Sequence, residues 1–456
     1  MNIPKMNIRL VIAILFVGLT GARMASAQEV LTLKEALSYA LNNSEALRKA
    51  RLEIEGGRYK VAEVRASALP QIEATSTLTN NLLVQQFVLP AEFMGGNPGE
   101  FIAIKAGQTW NALSQVQLNQ QIFNQQVFTG LKAAKSSEEY YRLAAQLAEE
   151  NLIQQVAANY YQVIITRQQL SVVEANIERV SQLEKTIGSQ YELGLAKKID
   201  LDRIKVNKSN LQAQFEQLEY AVTQQENLLK YYMGMPIAEP ITIPETEVDR
   251  LEREAVASLG EDSFNAEQLV NYQVMKKQED LLGLQRKAYV AEYYPSLSLN
   301  GNYMYNSQSD KFNLYTSRAL NYDMAGVTLN LRIPIFDGNA RRAKVRQADI
   351  ELQKIHEDLR NTSNALTMAY ENARIQIKNS LNTIEAQRAN KEFASEVFNS
   401  TQNNYQNGLA SLTDLLTAET DLVAAQNSYN EALLNYKVAQ IELIKSNGQI
   451  KSLVNE

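Results

Sequence analysis

An internal duplication, in which one motif recurs with its spacing intact, constrains this chain more than any other feature of its sequence. "YELGLAKKID" (residues 191–200) and "YQNGLASLTD" (residues 405–414) share Tyr, Gly-Leu-Ala and Asp at matched places. Gly234 and Gly448 follow the two copies at the same distance, and "LNQQIFN" in the first half matches "LRIPIFD" in the second. Self-similarity at a fixed offset is the signature of a repeated structural unit. The chain is therefore predicted to contain two copies of one unit.

Each copy contains a long segment without Gly or Pro, residues 131–187 and residues 339–407. Both segments are rich in residues that favour helices, and either would form a rod of about 85–100 Å. Apolar residues of the second segment recur mostly at alternating three- and four-residue steps, as along a coiled-coil seam. The predicted seam comprises Val345, Ala348, Leu352, Ile355, Leu359, Thr362, Leu366, Ala369, Ala373, Ile377, Leu381 and Ile384.

Gly194 and Gly408 end the two helical runs, and each is followed by another stretch without Gly or Pro, residues 195–233 and residues 409–447. Because Gly can adopt the left-handed conformation that terminates a helix, each is predicted to turn a helical hairpin. Asp200 and Asp414 then fall in the first turn of the returning helix, where the helix dipole favours a carboxylate. Ser411 with Asp414 also matches a capping box. These structural roles account for the motif, so a functional role needs separate evidence.

Alternating apolar and polar residues at the other ends of the hairpins predict four strands. They are "PQIEATSTL" from Pro70, "LSQVQLNQQIF" from Leu113, "PSLSLNGNYMY" from Pro295 and "AGVTLNLRIPI" from Ala325. Their length suits a tilted membrane-spanning barrel, but a closed barrel needs about eight strands or more. A barrel shared between chains fits better than a small soluble sheet, whose apolar face would need a cover. The segments within each strand pair are predicted to be surface loops.

The N-terminal segment, residues 1–27, has the pattern of a secretory signal peptide. Lys5 and Arg9 precede an apolar run, Leu10–Ala22, and "ASA" at residues 25–27 is a small-x-small cleavage pattern. A retained membrane anchor is the alternative, but it needs about 20 apolar residues and this run is shorter. The sequence therefore predicts export from the cytoplasm.

The charged and sulfur-containing residues exclude several classes of function. The chain has no Cys, which excludes disulfides, Cys-ligated metals and the lipidated Cys of a lipoprotein, so no lipid anchor is expected. The net charge of −6 becomes −9 once Lys5, Arg9 and Arg23 of the signal are removed, so no nucleic acid partner is expected.

The signal peptide, the duplicated unit and the "Y-x-x-G-x-x-x-x-x-D" motif in both copies together resemble the TolC-like outer-membrane efflux proteins, also called outer-membrane factors. "LTLKEALSYALNNSEALRKARLEIE", "ALPQI", "YYPSLSL", "IPIFDG" and "GLASLTDLLTAE" carry the resemblance along the mature chain. It implies a mainly α fold with a β-barrel. Long α-helical hairpins would form a trimeric periplasmic α-barrel, and four strands per chain would contribute to a shared 12-stranded barrel in the outer membrane.

The predicted division of the chain follows from the repeat. Residues 1–27 are the signal peptide, residues 28–235 the first repeat, and residues 263–456 the second. Residues 236–262, which contain Pro236, Pro240 and Pro244, are the expected linker around the waist of the tunnel.

The resemblance implies a passive exit duct of a tripartite efflux or type I secretion system. The expected partners are two further copies in a homotrimer, a periplasmic adaptor (membrane fusion protein), an inner-membrane transporter reached through it, and outer-membrane lipid. It assigns adaptor docking to the tip residues Gly194, Leu195, Gly408 and Leu409. It assigns the periplasmic gate to Asp414, Thr417 and Asp200, with Thr417 at a position where the family pattern has a second Asp. Asp200 is also a candidate for a latch with a basic residue such as Lys198.

Two other classes of function stay open at this point. An enzyme would need a catalytic cluster, but the sequence has no phosphate loop, nucleophile elbow or zinc motif, so no catalytic residue, metal or cofactor is expected and the single His356 is incidental. A periplasmic coiled-coil scaffold or adaptor is the stronger alternative, because long hairpins would serve either protein. The two hairpins and the strands at their bases favour the duct.

Overall fold

The computed structural model describes residues 31–244 and 264–455. The predicted signal peptide and the part of the predicted linker from residue 245 to residue 262 lie outside these ranges. The helices are α1 (Leu33–Asn43), α2 (Glu45–Ala66), α3 (Gln125–Glu192), α4 (Lys198–Met233), α5 (Val270–Ala291), α6 (Ala340–Gln406) and α7 (Leu412–Ser446). The strands are β1 (Gln71–Asn80), β2 (Gln86–Pro90), β3 (Phe101–Lys105), β4 (Trp110–Phe123), β5 (Ser296–Ser309) and β6 (Leu320–Arg332).

The two predicted helical hairpins are present and matched in size. Helices α3 and α6 contain 68 and 67 residues, and the returning helices α4 and α7 contain 36 and 35. Both pairs turn at the predicted glycines, which have φ angles of 76° (Gly194) and 74° (Gly408). The two hairpins therefore fold as the sequence predicts.

The described residues divide into two compact units. The first contains residues 31–48, 148–244, 264–269 and 366–455, and the second contains residues 49–147 and 270–365. The predicted division into two repeats is a separate, sequence-based description and stays a prediction.

The core of the first unit is a cluster built from segments distant in the sequence. Helix α1 begins at a capping box in which Thr32 and Glu35 satisfy each other's backbone N–H groups. Its apolar residues at helical spacing, among them Leu37, are buried in one cluster with residues of α3, α4 and α7 such as Tyr160, Leu229 and Leu433.

Of the twelve residues predicted for the coiled-coil seam along α6, six are buried, five are partly buried and one is exposed. Ala348, Ile355, Leu359, Ala373, Ile377 and Ile384 are all buried. Ala369 is exposed, and its neighbour Tyr370 is buried instead, where its ring stacks on Phe264 with centroids 4.4 Å apart. A large aromatic ring one residue further along therefore takes the place that strict heptad spacing gives to a small residue.

The second unit contains a four-stranded antiparallel sheet with the order β1-β4-β5-β6. Its register pairs Gln71 with Asn119 and Leu297 with Leu331. All four predicted strands are present. The predicted alternation extended to Ile335, but β6 ends at Arg332 because Pro334 has no backbone N–H to donate to a ladder.

The segment between β1 and β4 is not a simple loop, and the prediction of a surface loop for it was wrong in this respect. It contains the antiparallel pair β2–β3, in which Phe87 lies opposite Ile104 and Leu89 opposite Ile102. No helix among the described residues has a window of 18 residues apolar enough for a membrane span.

Gly234 at the end of α4 is predicted to be irreplaceable by Ala. Its φ is 70°, and an added Cβ would lie 2.5 Å from the carbonyl oxygen of Asn43 and 3.0 Å from the Cα of Ser44. Because these are backbone atoms, they cannot rotate away. Gly234→Ala should lower the free energy of unfolding by about 1–3 kcal/mol from backbone strain alone. The expected result is a lower thermal unfolding temperature in detergent, measured by circular dichroism.

Gly188→Ala is the matched control, because Gly188 lies inside α3 with no atom within 4 Å of an added Cβ. It should stabilise the helix by about 0.5–1 kcal/mol. A Gly234→Ala protein that unfolds no earlier than wild type would contradict the role given to the turn.

Candidate functional site

The two hairpin tips have the same backbone geometry. At the first tip, Gly194 N donates to Tyr191 O (2.9 Å) and Leu195 N donates to Gln190 O (2.7 Å). At the second, Gly408 N and Leu409 N donate to the matching carbonyls of Tyr405 and Asn404 at 3.0 and 2.8 Å. The left-handed glycine closes each helix end and leaves the following Leu in solvent. Leu195 and Leu409 are each 78% exposed.

The first turns of the returning helices differ. Helix α7 begins with the predicted capping box: the Oδ2 atom of Asp414 accepts from Ser411 N (3.0 Å) and Ser411 Oγ (2.7 Å), and Asp414 N donates to Ser411 Oγ (3.2 Å). These hydrogen bonds hold the pKa of Asp414 below its ordinary value. Helix α4 follows Lys197, which makes no side-chain cap, so Asp200 lies in an uncapped first turn.

Tyr405 of the second hairpin packs against the first hairpin. The Tyr405 side chain packs against a buried apolar cluster that includes Ile187 and Ile204 of the first hairpin. Burial raises the pKa of the Tyr405 hydroxyl, and the negative charge of Asp200 raises it further. The Tyr of one repeat motif is therefore near enough to the Asp of the other to respond to its charge.

A second contact joins the hairpins one turn further along. Arg203 Nη1 donates to Thr413 Oγ1 at 2.8 Å. Beside this bond, α4 and α7 form a groove of about 590 Å³, lined by Arg203, Asp202, Leu416, Thr417 and neighbouring side chains. Thr417 therefore faces a groove between hairpins, with an Asp and an Arg across from it.

Behind the tip, an ion pair between a partly exposed Arg and a buried Glu links α3 to α7. Arg179 Nε is 3.4 Å from Glu419 Oε1, and the Glu419 side chain is only 4% exposed. Burial raises the pKa of Glu419, and the neighbouring Arg179 lowers it in part. The Arg179 guanidinium also lies 5.8 Å from the centre of the Phe398 ring on α6.

The tip therefore gathers residues from both repeats into one region. Asp200, Asp414 and Thr417 all lie in the first two helical turns of α4 and α7. The four predicted docking residues lie in the two connections between the helices of each hairpin. Sequence reasoning did not find Arg203, Thr413 or the role of Tyr405, because a contact between hairpins leaves no signal within either segment. Lys198, the predicted latch partner of Asp200, makes no ion pair in the part of the chain that the structure describes.

Metal ligands do not converge at the tip. Among residues 31–244 and 264–455, no three His, Asp or Glu side chains are grouped so that they could hold an ion. The predicted lack of a metal or cofactor stays a prediction.

Two long hairpins and a four-stranded antiparallel sheet, together with turns that expose apolar residues, define a class of channel-forming proteins of the bacterial outer membrane. Residues 36–235 and 273–449 match the family described as outer membrane efflux protein. The chain belongs to this family.

Individual relatives are distant but similar over nearly their full length. The chain is 20% identical to the outer membrane protein TolC of Vibrio cholerae over 440 residues, which covers 96% of this chain and 95% of the relative. It is 24% identical to the alkaline protease secretion protein AprF of Pseudomonas aeruginosa, covering 91% of this chain and 83% of that protein.

Solved structures share the fold. The CmeC outer membrane channel of Campylobacter jejuni superposes with a TM-score of 0.72 at 15% identity, over 98% of this chain and 94% of that one. A structure of CusC gives 0.72 at 17% identity, over 91% and 92% of the two chains.

Family membership and these likenesses confirm the predicted fold class, in which long hairpins build an α-barrel and four strands per chain contribute to a shared β-barrel. They also confirm the location in the outer membrane of a Gram-negative cell, reaching into the periplasm, and the role of an exit duct. The alternative of a scaffold or adaptor is not supported. The family is one of channels and transport proteins; the absence of catalysis stays a prediction.

Glu419 should make stability depend on pH in a defined direction. Because burial raises its folded pKa above the ordinary value of 4.5, the folded chain binds more protons than the unfolded chain between these two values. Stability therefore rises as the pH falls through the raised pKa toward 4.5, and Glu419→Gln should remove this rise. Thermal unfolding between pH 7.5 and 4.5 measures it.

Glu396→Gln serves as the control, because Glu396 is an exposed carboxylate on α6. It should leave the pH dependence of the unfolding temperature as in wild type. An identical pH slope for wild type and Glu419→Gln would show that the buried carboxyl does not titrate in this window.

Proposed function

We propose that three copies of this chain form a passive exit duct in which the six hairpin tips serve as both the adaptor-docking surface and the periplasmic gate. The observation that carries this proposal is the matched pair of tips, each with an exposed Leu after a left-handed Gly. Energy for export would come from an inner-membrane transporter reached through the adaptor. The duct would open when adaptor contacts shift the hairpins from a closed to an open population.

The number of strands supports the trimer. One chain supplies a four-stranded sheet, which is half of what the smallest closed membrane barrels need, and three chains supply twelve. Under three-fold symmetry, each chain contributes two tips to a ring of six. The duplication in the sequence then has a simple reason, because each repeat supplies one tip of that ring.

Docking would use Gly194, Leu195, Gly408 and Leu409. An exposed Leu on a rigid turn is a suitable anchor, because it can enter an apolar pocket without ordering a flexible segment first. The glycines hold the turns in a conformation that other residues rarely adopt. A periplasmic adaptor with matching pockets would therefore bind both tips in the same way.

The gate would use Asp414, Thr417 and Asp200 together with contacts between the hairpins. The bond from Arg203 to Thr413 and the packing of Tyr405 against the apolar cluster of the first hairpin hold the first tip to the second. With Thr417 in place of a second Asp, a trimer would bring three carboxylates to this ring from α7, where a pair of Asp residues would bring six. The gate of this chain would accordingly attract cations less strongly.

The docking proposal predicts that charge on the tip leucines stops export. Leu195→Asp with Leu409→Asp would place a carboxylate against an apolar pocket, so we expect at least a tenfold loss of export, which corresponds to about 1.4 kcal/mol. Dye or drug efflux in cells lacking their own duct measures it, and blotting should show normal amounts of trimer in the outer membrane.

Tyr220→Asp is the control for this experiment. Tyr220 is 67% exposed on α4, about 30 Å along the helix from its first turn, so its replacement adds the same charge away from the tip. Full export by the double tip variant would exclude the leucines from docking.

The gate proposal predicts that loss of the contact between hairpins opens the duct. Arg203→Ala and Thr413→Val each remove the 2.8 Å hydrogen bond, so each should raise single-channel conductance in planar bilayers. Because both changes break one interaction, the double variant should conduct no more than the single ones.

Lys205→Ala controls for loss of positive charge, since Lys205 is an exposed residue of α4 near the same turn. It should leave the conductance unchanged. Additive effects of Arg203→Ala and Thr413→Val would count against the bond as a latch.

A further inference from the structure

The segment between β1 and β4 extends the sheet beyond its outer end as a two-stranded ribbon, called the arm (residues 81–109). Asn81 N donates to Thr109 O (2.7 Å) and Ala106 N donates to Gln85 O (2.7 Å), so backbone pairing continues from β1–β4 into β2–β3. The ribbon closes at a short helical turn, Ala91–Met94. The arm therefore continues the edge strand β1 past the end of the sheet.

Both faces of the arm are largely apolar, and one of them has the polar pair Gln86 and Lys105 at its base. Opposed residues of an antiparallel pair share a face, so Phe87 and Leu89 lie on one face with Ile104 and Ile102. Val88 and Pro90 lie on the other face with Ala103 and Phe101. The exposed fractions reach 64% for Val88 and 71% for Phe101, and further exposed apolar surface comes from Leu82, Leu83, Phe93 and Met94.

An isolated two-stranded ribbon is marginally stable in water, and an apolar patch of this kind marks an interaction surface. An arm lying flat on a lipid surface would cover one face and leave the other in water, whereas neighbours on both sides would cover each face. The arm needs a cover on each face.

The segment between β5 and β6 (residues 310–319, called the second loop) behaves differently. Tyr315 stacks on Tyr305 with ring centroids 6.0 Å apart, and Tyr315 N donates to Ser307 Oγ at 2.8 Å. Phe312 packs edge-on against Trp110 with centroids 4.8 Å apart. The second loop is therefore fastened to its own sheet, whereas the arm extends away from it.

Closure of the barrel determines what lies next to the arm. Strands β1 and β6 are the two edges of the sheet, so in a barrel shared between chains β1 of one copy pairs with β6 of the next. The rim then alternates arm, second loop, arm, second loop around the axis. Each arm has its own second loop on one side and the second loop of a neighbouring copy on the other, as expected for a head-to-tail cyclic interface.

The net charges of these two rim elements are opposite: −1 for the arm, from Glu92, Glu100 and Lys105, and +1 for the second loop, from Asp310, Lys311 and Arg318. Glu92 and Glu100 lie at the far end of the arm, where they accept from neutral donors, Gly99 N (3.3 Å) and Asn97 Nδ2 (3.4 Å). The second loop carries Lys311 and Arg318, and its Asp310 accepts from Thr109 N and Oγ1 at 3.3 and 3.2 Å. Each adjoining second loop, including that of the neighbouring copy, therefore offers cations to the two carboxylates at the far end of the arm.

We propose that the arm is a subunit-locking element that packs against neighbouring copies of this chain and forms, with their second loops, a closed cuff around the outer mouth of the duct. This proposal rests on the trimer of the proposed function. It adds a contact between copies that no strand pairing provides.

The first test uses cysteine cross-linking, which is clean because the chain has no native Cys. Ala103→Cys on the arm is combined with Ser317→Cys on the second loop, both at exposed positions, and trimers in detergent are treated with a short bismaleimide. We expect covalent dimers and trimers on denaturing gels. Ala103→Cys with Lys60→Cys is the control, because Lys60 lies on α2 before β1. This variant should run as a single chain on the denaturing gel, without cross-links between copies.

Cross-links within one chain, or none, in a preparation that native mass spectrometry shows to be trimeric would overturn the cuff while leaving the proposed function intact. A monomeric wild type would overturn both. The two failures are therefore distinguishable by mass alone.

Charge exchange provides the second test. Glu92→Lys with Glu100→Lys should lower the yield of cross-linked trimer several-fold, and adding Lys311→Glu and Arg318→Glu should restore it. A yield unaffected by the first pair, or not restored by the second, would contradict the assigned partner.

A third test asks whether lipid, instead of a neighbouring copy, covers the arm, and it uses a Trp placed in the arm. Phe87→Trp in a Trp110→Phe background makes the arm the single Trp position, and the protein is placed in vesicles of brominated phosphatidylcholine. A cuff predicts little quenching relative to ordinary lipid. Strong quenching would assign the arm to the membrane surface and overturn the proposal.

Discussion

The structure depends on the backbone hydrogen bonds of two strand edges. Strands β1 and β6 end the four-stranded sheet, and they contain 10 and 13 residues. In a membrane, each backbone polar group without a partner costs several kcal/mol, so open sheet edges do not persist there. The edges must therefore pair with those of other copies. Assembly is in this sense a requirement of the peptide backbone, and side chains only decide how many copies complete the ring.

The helical hairpins are under no such requirement, because each helix satisfies its own backbone groups. They are held together by side chains: the buried seam of α6, the Arg179–Glu419 pair and, at the tips, one hydrogen bond from Arg203 and the packing of Tyr405. Individual contacts of this kind contribute about 1 kcal/mol, so small differences in binding can change how the tips are arranged. One chain thus combines a barrel fixed by backbone hydrogen bonds with periplasmic tips held by a few weak side-chain contacts.

The features that the sequence predicted are those whose signal lies within one segment. Left-handed glycines, helical runs, the capping box of Ser411 and Asp414, and strand alternation all depend on neighbouring residues. The burial of Tyr370 in place of Ala369 in the seam was not predictable from the sequence, because it depends on stacking against Phe264, which lies elsewhere in the chain. The contact of Arg203 with Thr413 joins residues 210 positions apart. The pair β2–β3 was missed because its Gly- and Pro-containing surroundings read as a loop, although "FIAIK" carries a strand signal.

The single tryptophan of the chain has a consequence for how the duct can be observed. Trp110 begins β4 at the point where the arm joins the sheet, and its ring meets Phe312 of the second loop. The tryptophan fluorescence of the protein therefore comes from the outer rim alone. A rearrangement that moves Phe312 away from Trp110 is expected to change the tryptophan emission of an unlabelled channel, whereas movements of the periplasmic tips are not.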